Sequence, residues 1–347
     1  DISMNLTLAD NASMNIEEGK QLSLSKSFKV PNSLKLEMIG TGGGILSLGD
    51  TLKIDGILKF ASPDFSLING IIELGETSYL GVFYNTSISS NIVISGDTSI
   101  EVASGVALNY TGGIIDLLNF QLTMLGSGEF MNTNSILLSD ADSLLIIEGD
   151  VIIALIKVTA NSSAGRGISV KSTDAKIVNL NMFADMRISY SQDSYELNVE
   201  NLNVDLSSKI IGDDSEGWLL VTEIFQQDDV ILTLEDINVR VENELNINYK
   251  DQVVMKGTTL FDIGGGLTFN VSGTMNFNRS MNANINLNGG VMCITDNVTI
   301  LGEIKHLANS TIFIGQDRVL TYAGQVPINV DELTLAVQGG GRFVSWD

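Results

Sequence analysis

Apolar and polar residues alternate along this chain in short runs of three to six. Ile92/Ile94, Ile100/Val102, Val106/Leu108 and Phe120/Leu122/Met124 are one series. Each run stops at a small polar cluster such as Ser95-Gly96-Asp97 or Gly126-Ser127-Gly128. A period of two marks β-strands with one buried face, and Gly, Asp, Asn and Ser are the residues that turn a chain. The same texture begins at Leu34/Leu36/Met38 and continues through Leu46/Leu48, Leu52/Ile54, Phe65/Leu67 and Leu80/Val82/Tyr84. Met281 to Asn288 alternates strictly between asparagine and other residues over much of its length. No window of a dozen residues sustains the i, i+3, i+4 spacing of a capped helix.

Strands this short and this closely spaced suit a coil better than a sandwich or an up-and-down barrel. The expected fold is all-β, a parallel β-helix (β-solenoid) with an imperfect repeat of roughly 20–25 residues. Residues 1–33 are expected to be an N-terminal cap or the first rungs, since an open coil end is a naked sheet edge. Residues 34–347 are expected to be the β-helix, with polar loops near 161–167, 191–195 and 212–229. The glycine runs at 42–44, 264–266 and 339–341 read as corners. Trp346 is expected to cover the last rung or to continue into further chain.

Composition supports this picture. Hydrophobic residues make up 44% of the chain and aromatics only 6%, so Ile, Leu and Val build the core. Three prolines in 347 residues fit a chain whose N–H groups must pair in ladders. The 34 glycines fall at run ends. No stretch reaches the ~18 apolar residues of a membrane-spanning helix; the longest, Leu144 to Val158, is broken by Glu148, Gly149 and Asp150.

Charge removes several partners. There are 42 Asp and Glu against 19 Lys and Arg, a net −23, which repels nucleic acid and anionic lipid. Catalytic options are narrow as well. His306 is the only histidine and reads as a surface or corner residue. Cys293 is the only cysteine, in the apolar run Val291-Met292-Cys293-Ile294, and reads as a small buried hydrophobe. Zinc would need more His and Cys. Gly40-Thr41-Gly42-Gly43-Gly44 lacks the Lys-Ser/Thr of a phosphate loop and reads as a corner.

The acidic loops remain as candidate metal ligands. Asp213, Asp214, Glu216, Asp228 and Asp229, and separately Asp140 and Asp142, offer oxygens suited to Ca²⁺, but none matches a known calcium loop, so they read first as solvated acidic loops and no cofactor is expected, Ca²⁺ being the one alternative. Asn5, Asn11, Asn85, Asn109, Asn161, Asn270, Asn278, Asn297 and Asn309 each open an Asn-X-Ser/Thr acceptor site for glycosylation, which would place them on a secreted surface. Asparagines that recur on successive strands imply stacked side-chain amides or a flat amide-rich face for polysaccharide.

At Ser95–Val102 and Gly126–Thr133 the chain resembles the passenger regions of secreted β-helical surface proteins, the broad class of autotransporter, filamentous-haemagglutinin-like and surface-layer or sheath solenoids. The resemblance implies an extracellular, cell-surface role in structure or adhesion. The expected function is therefore non-enzymatic, acting through self-assembly or attachment to a cell surface or a polysaccharide. The alternative is a carbohydrate-active β-helix, a binding module or hydrolase. Its carboxylates would be Asp213, Asp214, Asp228 and Asp229, lining one groove about 5–10 Å across. The six arginines are scattered singly, which disfavours lyase chemistry.

Overall fold

A computed structural model describes residues 1–40, 42–192, 194–212, 217–226, 230–241, 245–247, 252–256, 260–263, 268–271, 274–277, 280, 284–330 and 333–345. The fold is an all-β solenoid of stacked parallel strands, with no helix among the described residues. It divides into two compact units, Asp1–Leu180 and Asn181–Asp347.

In the first unit a turn carries three strands. Thr51–Ile54, Ile57–Phe60 and Phe65–Ile68 make one turn, and Ile71–Leu74, Ser78–Val82 and Thr86–Ile88 the next. Each strand pairs in parallel with its counterpart one turn on. Thr51 lies against Ile71 and Ile71 against Asn91; Leu58 lies against Leu80, and Leu80 against Ile100. Three faces result. The first is five-stranded, running from Leu6–Thr7 to Asn91–Ile94. The second begins at Ala12–Asn15 and the third at Gln21–Leu24. The strands within residues 1–33 pair in parallel with their counterparts one turn on.

The alternation in sequence becomes inside and outside. Leu52, Ile54, Ile72 and Leu74 are fully buried behind the first face, and Leu58, Phe60, Leu80 and Val82 behind the second. Each buried Leu, Ile or Val stabilises by about 1.5–3 kcal/mol relative to an exposed one, so the core columns carry the coil. Two small polar residues in the core satisfy each other. Ser78 and Thr98 stack inward with their hydroxyl oxygens 2.6 Å apart, and Thr98 Oγ1 donates to the Ser78 carbonyl at 3.0 Å.

The corners explain part of the Asp and Asn content. A side-chain oxygen at one corner accepts a backbone N–H of the following turn. Asn11 Oδ1 takes the Lys35 N–H (2.8 Å), Asn85 the Ala107 N–H (2.9 Å), Asn91 the Gly113 N–H (2.8 Å) and Asp97 the Gln121 N–H (2.9 Å). The second unit does the same with Asp185 to Lys209 (2.8 Å), Asn297 to Val319 (3.0 Å) and Asn309 to Thr334 (2.8 Å). A corner leaves N–H groups outside the strand ladder, and these acceptors supply the missing partner. The Gly40–Gly44 corner forms for steric reasons. Gly42 and Gly43 have φ of 117° and 64°, and a Cβ on Gly40 would fall on the Ile16 carbonyl.

One face of the first unit changes register. Ile152–Val158 is a continuous strand above two short ones. Glu129 and Phe130 pair with Ile152 and Ile153, whereas Ile136 to Leu138 pair with Ile156 to Val158. Asn132 fills the break. Its Nδ2 donates to the carbonyls of Leu155 and Asn134, both at 2.7 Å, and its Oδ1 accepts the Leu155 N–H at 3.2 Å. One side-chain amide thus stands in for a strand residue opposite Leu155.

In the second unit one stack runs from Met186–Tyr190 through Ser208–Gly212 and Ile231–Glu235 to Leu335–Gly339. Trp218–Gln226, inside the span read as a loop, is a nine-residue strand paired with Glu196–Val204 and Asn238–Val241. The repeat shortens here below the expected 20–25. Thr268 lies against Asn284, 16 residues on, and Thr274 against Val291, 17 on. Among the described residues that turn has two strands, Thr274–Phe277 and Asn284–Asn288, which is why it closes with fewer residues.

Candidate functional site

Surface charge is divided unevenly among the three faces of the first unit. The first face pairs Lys53 with Glu73 at 2.6 Å, and this hydrogen bond to Glu73 raises the Lys53 pKa. The second places Glu37 between Lys35 (3.5 Å) and Lys59 (3.8 Å), with the Lys59 ammonium 4.3 Å from the Phe83 ring centre. On the third face, five successive strands hold no Asp, Glu, Lys or Arg: Gln21–Leu24, Ile45–Leu48, Phe65–Ile68, Thr86–Ile88 and Ala107–Tyr110.

The outward positions of that face are hydroxyls, amides and a few apolar groups. Register aligns Ile45, Ser66, Ser87, Asn109 and Met131 in one column, and Ser23 with Ser47 in another. Ser87 and Asn109 are exposed, and Met131 is 40% exposed. Asn69 Nδ2 donates to Ser47 Oγ at 3.0 Å, and Gln21 Nε2 to Ser23 Oγ at 3.3 Å. Behind the face, Leu46, Phe65, Leu67, Ile88 and Leu108 are fully buried and support it. At strand dimensions the uncharged patch measures about 13 Å along the strands and about 19 Å across five of them. On a chain of net charge −23 it is a neutral, hydrogen-bonding plane.

The residues singled out from sequence fall in several places. Asp213, Asp214, Glu216, Asp228, Asp229, Asn278 and Trp346 lie outside the described residues. Asn270 sits in the strand Thr268–Val271, in register between Asn246 and Asn286, so these three asparagine positions stack. Farther along the coil Asn203 Nδ2 donates to Asn181 Oδ1 at 2.8 Å, one step of an amide ladder. Asn5, Asn11, Asn85, Asn109, Asn161, Asn297 and Asn309 are exposed, and Asn109 stands on the uncharged face. Asp140 and Asp142 hold their loop. Asp140 Oδ1 accepts the Asp142 N–H at 2.9 Å, and Asp142 Oδ1 accepts from Ser163 Oγ at 2.8 Å. Among the described residues no three His, Cys, Asp or Glu side chains come close enough to hold a metal ion together. No described helix is long and apolar enough to cross a membrane.

Two single residues differ from expectation. His306 is in the core, not at a corner or on the surface, because the strand Ile304–Ala308 carries its alternation past the histidine. Cys293 faces outward, half-buried, because the buried phase of its run belongs to Met292 and Ile294. Partial burial raises the Cys293 thiol pKa.

The fold and this face define the class, a parallel β-solenoid with a neutral sheet face. Comparison with known protein families, with curated proteins and with solved structures finds no match that would assign the chain to a family.

Proposed function

We propose that this chain is a non-enzymatic adhesive or structural protein of the cell surface that attaches to neutral polysaccharide through its uncharged face. The observation that carries this reading is the run of five charge-free strands on a strongly acidic chain. The acidic remainder repels polyanions, whereas a neutral glycan meets no such barrier. Ser and Asn side chains donate and accept, as sugar hydroxyls do, and the flat spacing of parallel strands repeats those groups at regular intervals. Half-buried Ile45 on the face, and exposed Met131 on the strand that follows it and carries Glu129, supply apolar contact for the C–H faces of sugar rings.

Co-sedimentation with insoluble neutral and anionic polysaccharides tests the proposal. The chain should pellet with a neutral polymer, and the double variant Ser66→Lys, Ser87→Glu should bind at least ~10-fold more weakly, the equivalent of about 1.4 kcal/mol. Unchanged binding in that variant, or binding to anionic polymers alone, would overturn the role of the face. Release of reducing sugar from the pelleted polymer would overturn the non-enzymatic reading.

A further inference from the structure

The uncharged face has a direction as well as a composition. One outward residue from each of its five strands falls in a single line: Gln21, Ile45, Ser66, Ser87 and Asn109, each in register with the next. The line crosses the strands and advances about 4.8 Å from one to the next. It reaches Met131, on a strand whose Glu129 ends the charge-free region. Along the strands the neutral surface is shorter. Each strand is only three or four residues long, and the first three meet corners that hold exposed Lys20, Lys26, Asp50 and Asp64.

The polar side chains in the line are also open to a ligand. Elsewhere in the first unit many hydroxyls are taken by carboxylates: Ser25 donates to Asp1, Ser27 to Asp50, Ser95 to Glu73, Ser139 to Asp116 and Ser172 to Asp150. Among the described residues, no hydrogen bond engages the side chains of Ser66, Ser87 or Asn109. Ser87 and Asn109 are exposed and Ser66 is half-buried. Three successive strands thus hold out donors and acceptors in register. A ligand that uses them needs hydroxyls or amides at a matching interval and no charge. A chain of hexose rings in β-1,4 linkage stays extended, advances by about one strand spacing per ring and carries hydroxyls on every ring. An α-1,4-linked chain of glucose winds into a helix and falls out of step with a row of strands. Five strands leave room for about four extended rings.

We infer that the face binds an extended, β-1,4-linked neutral glycan lying across the strands, ring after ring over Ile45, Ser66, Ser87 and Asn109. This rests on the proposed attachment to neutral polysaccharide and adds to it the linkage and the direction of the bound chain.

Calorimetric titration of the intact chain with soluble β-1,4-linked oligomers of glucose, mannose and N-acetylglucosamine, two to six rings long, tests the inference, with α-1,4-linked maltohexaose as the comparison. At least one β-linked series should gain at least ~10-fold in affinity from two rings to four and less than ~2-fold from four to six, the length the five strands accommodate. The series that binds identifies the sugar. Maltohexaose should bind at least ~10-fold more weakly than the hexamer of that series. Ser87→Asp, in the line, should weaken the hexamer at least ~10-fold, whereas Asn69→Asp, at a strand end and off the line, should weaken it less than ~3-fold. Both positions are exposed, and circular dichroism checks that both variants keep the fold. Maltohexaose binding as tightly as the β-linked hexamer would overturn the linkage, and Asn69→Asp as damaging as Ser87→Asp would overturn the direction; either result leaves attachment to neutral glycan standing. If no oligomer binds while an insoluble neutral polymer still pellets the chain, this inference alone fails. If neither binds, both proposals fail.

Discussion

Replacing Asn132 by Leu keeps the branching and heavy-atom count of the side chain and removes one polar bridge. Asn132 is 4% exposed and makes three hydrogen bonds across the register break, two of them to Leu155. Leucine cannot replace them. The Leu155 N–H and the carbonyls of Leu155 and Asn134 then lose these partners at a part-buried site. A buried group left unpaired costs about 1–3 kcal/mol. Each carbonyl has a second lone pair and the added methyl groups offset part of the loss, so about 2–4 kcal/mol is expected in total. At 1.4 kcal/mol per decade this is roughly 25- to 700-fold in the local opening equilibrium. Amide hydrogen exchange reads it directly: the Leu155 amide should exchange faster by that factor, while Leu80, several turns away, should not change. Asn132→Asp should be worse than Leu, because it keeps the acceptor for the Leu155 N–H but turns a carboxylate towards two carbonyls. A Leu155 rate within threefold of the parent in Asn132→Leu would refute the bridging role.

Two further outcomes follow from the same geometry. Burial raises the phenol pKa values of Tyr79, Tyr110 and Tyr190, with Glu101 hydrogen-bonded to Tyr79 and Glu196 near Tyr190 adding to the shift. A raised acid binds its proton more tightly when folded, so this stability is intact below the unfolded tyrosine value of about 10 and declines as pH climbs above it. Phenolate absorbance and circular dichroism followed together should show these tyrosines ionising only as the coil unfolds; early ionisation of all tyrosines in a folded chain would contradict it. Gly126 has φ of 88°, and a Cβ there would fall on the Val102 carbonyl, so Gly126→Ala should cost more than about 2 kcal/mol in denaturant midpoint analysis. A loss below ~0.5 kcal/mol would show that the corner relaxes freely.

The coil was legible because its core is written with a period of two and its corners in Gly, Asp and Asn. Leu52/Ile54 and Ile72/Leu74 follow from that pattern without knowledge of the pairing. Phase is harder where apolar residues are contiguous. In Val291-Met292-Cys293-Ile294 all four residues are apolar, so sequence does not reveal that Cys293 faces out. His306 was open to a better reading, since it stands two residues after Ile304, but the polar residues beyond it suggested a loop. The uncharged face spells out as QLSL, ILSL, FSLI, TSI and ALNY. It becomes visible only when segments about one turn apart are set side by side. Asn132 left no local trace at all. Its role depends on a register change in a strand that lies more than twenty residues away.

The corner acceptors tie individual turns of the first unit to the turn after them. Asn85 serves Ala107, Asn91 serves Gly113 and Asp97 serves Gln121, each 22 or 24 residues ahead. Such bonds reach one turn and no farther, so each turn is judged only by its immediate neighbours. Length is then an adjustable quantity in this architecture. Duplicating or deleting one whole turn re-creates the same donor and acceptor at the seam, whereas a gain or loss of half a turn sets acceptors against strands. Descendants of such a gene can grow or shrink in whole-turn steps, because the strand ladders join each turn only to its neighbours.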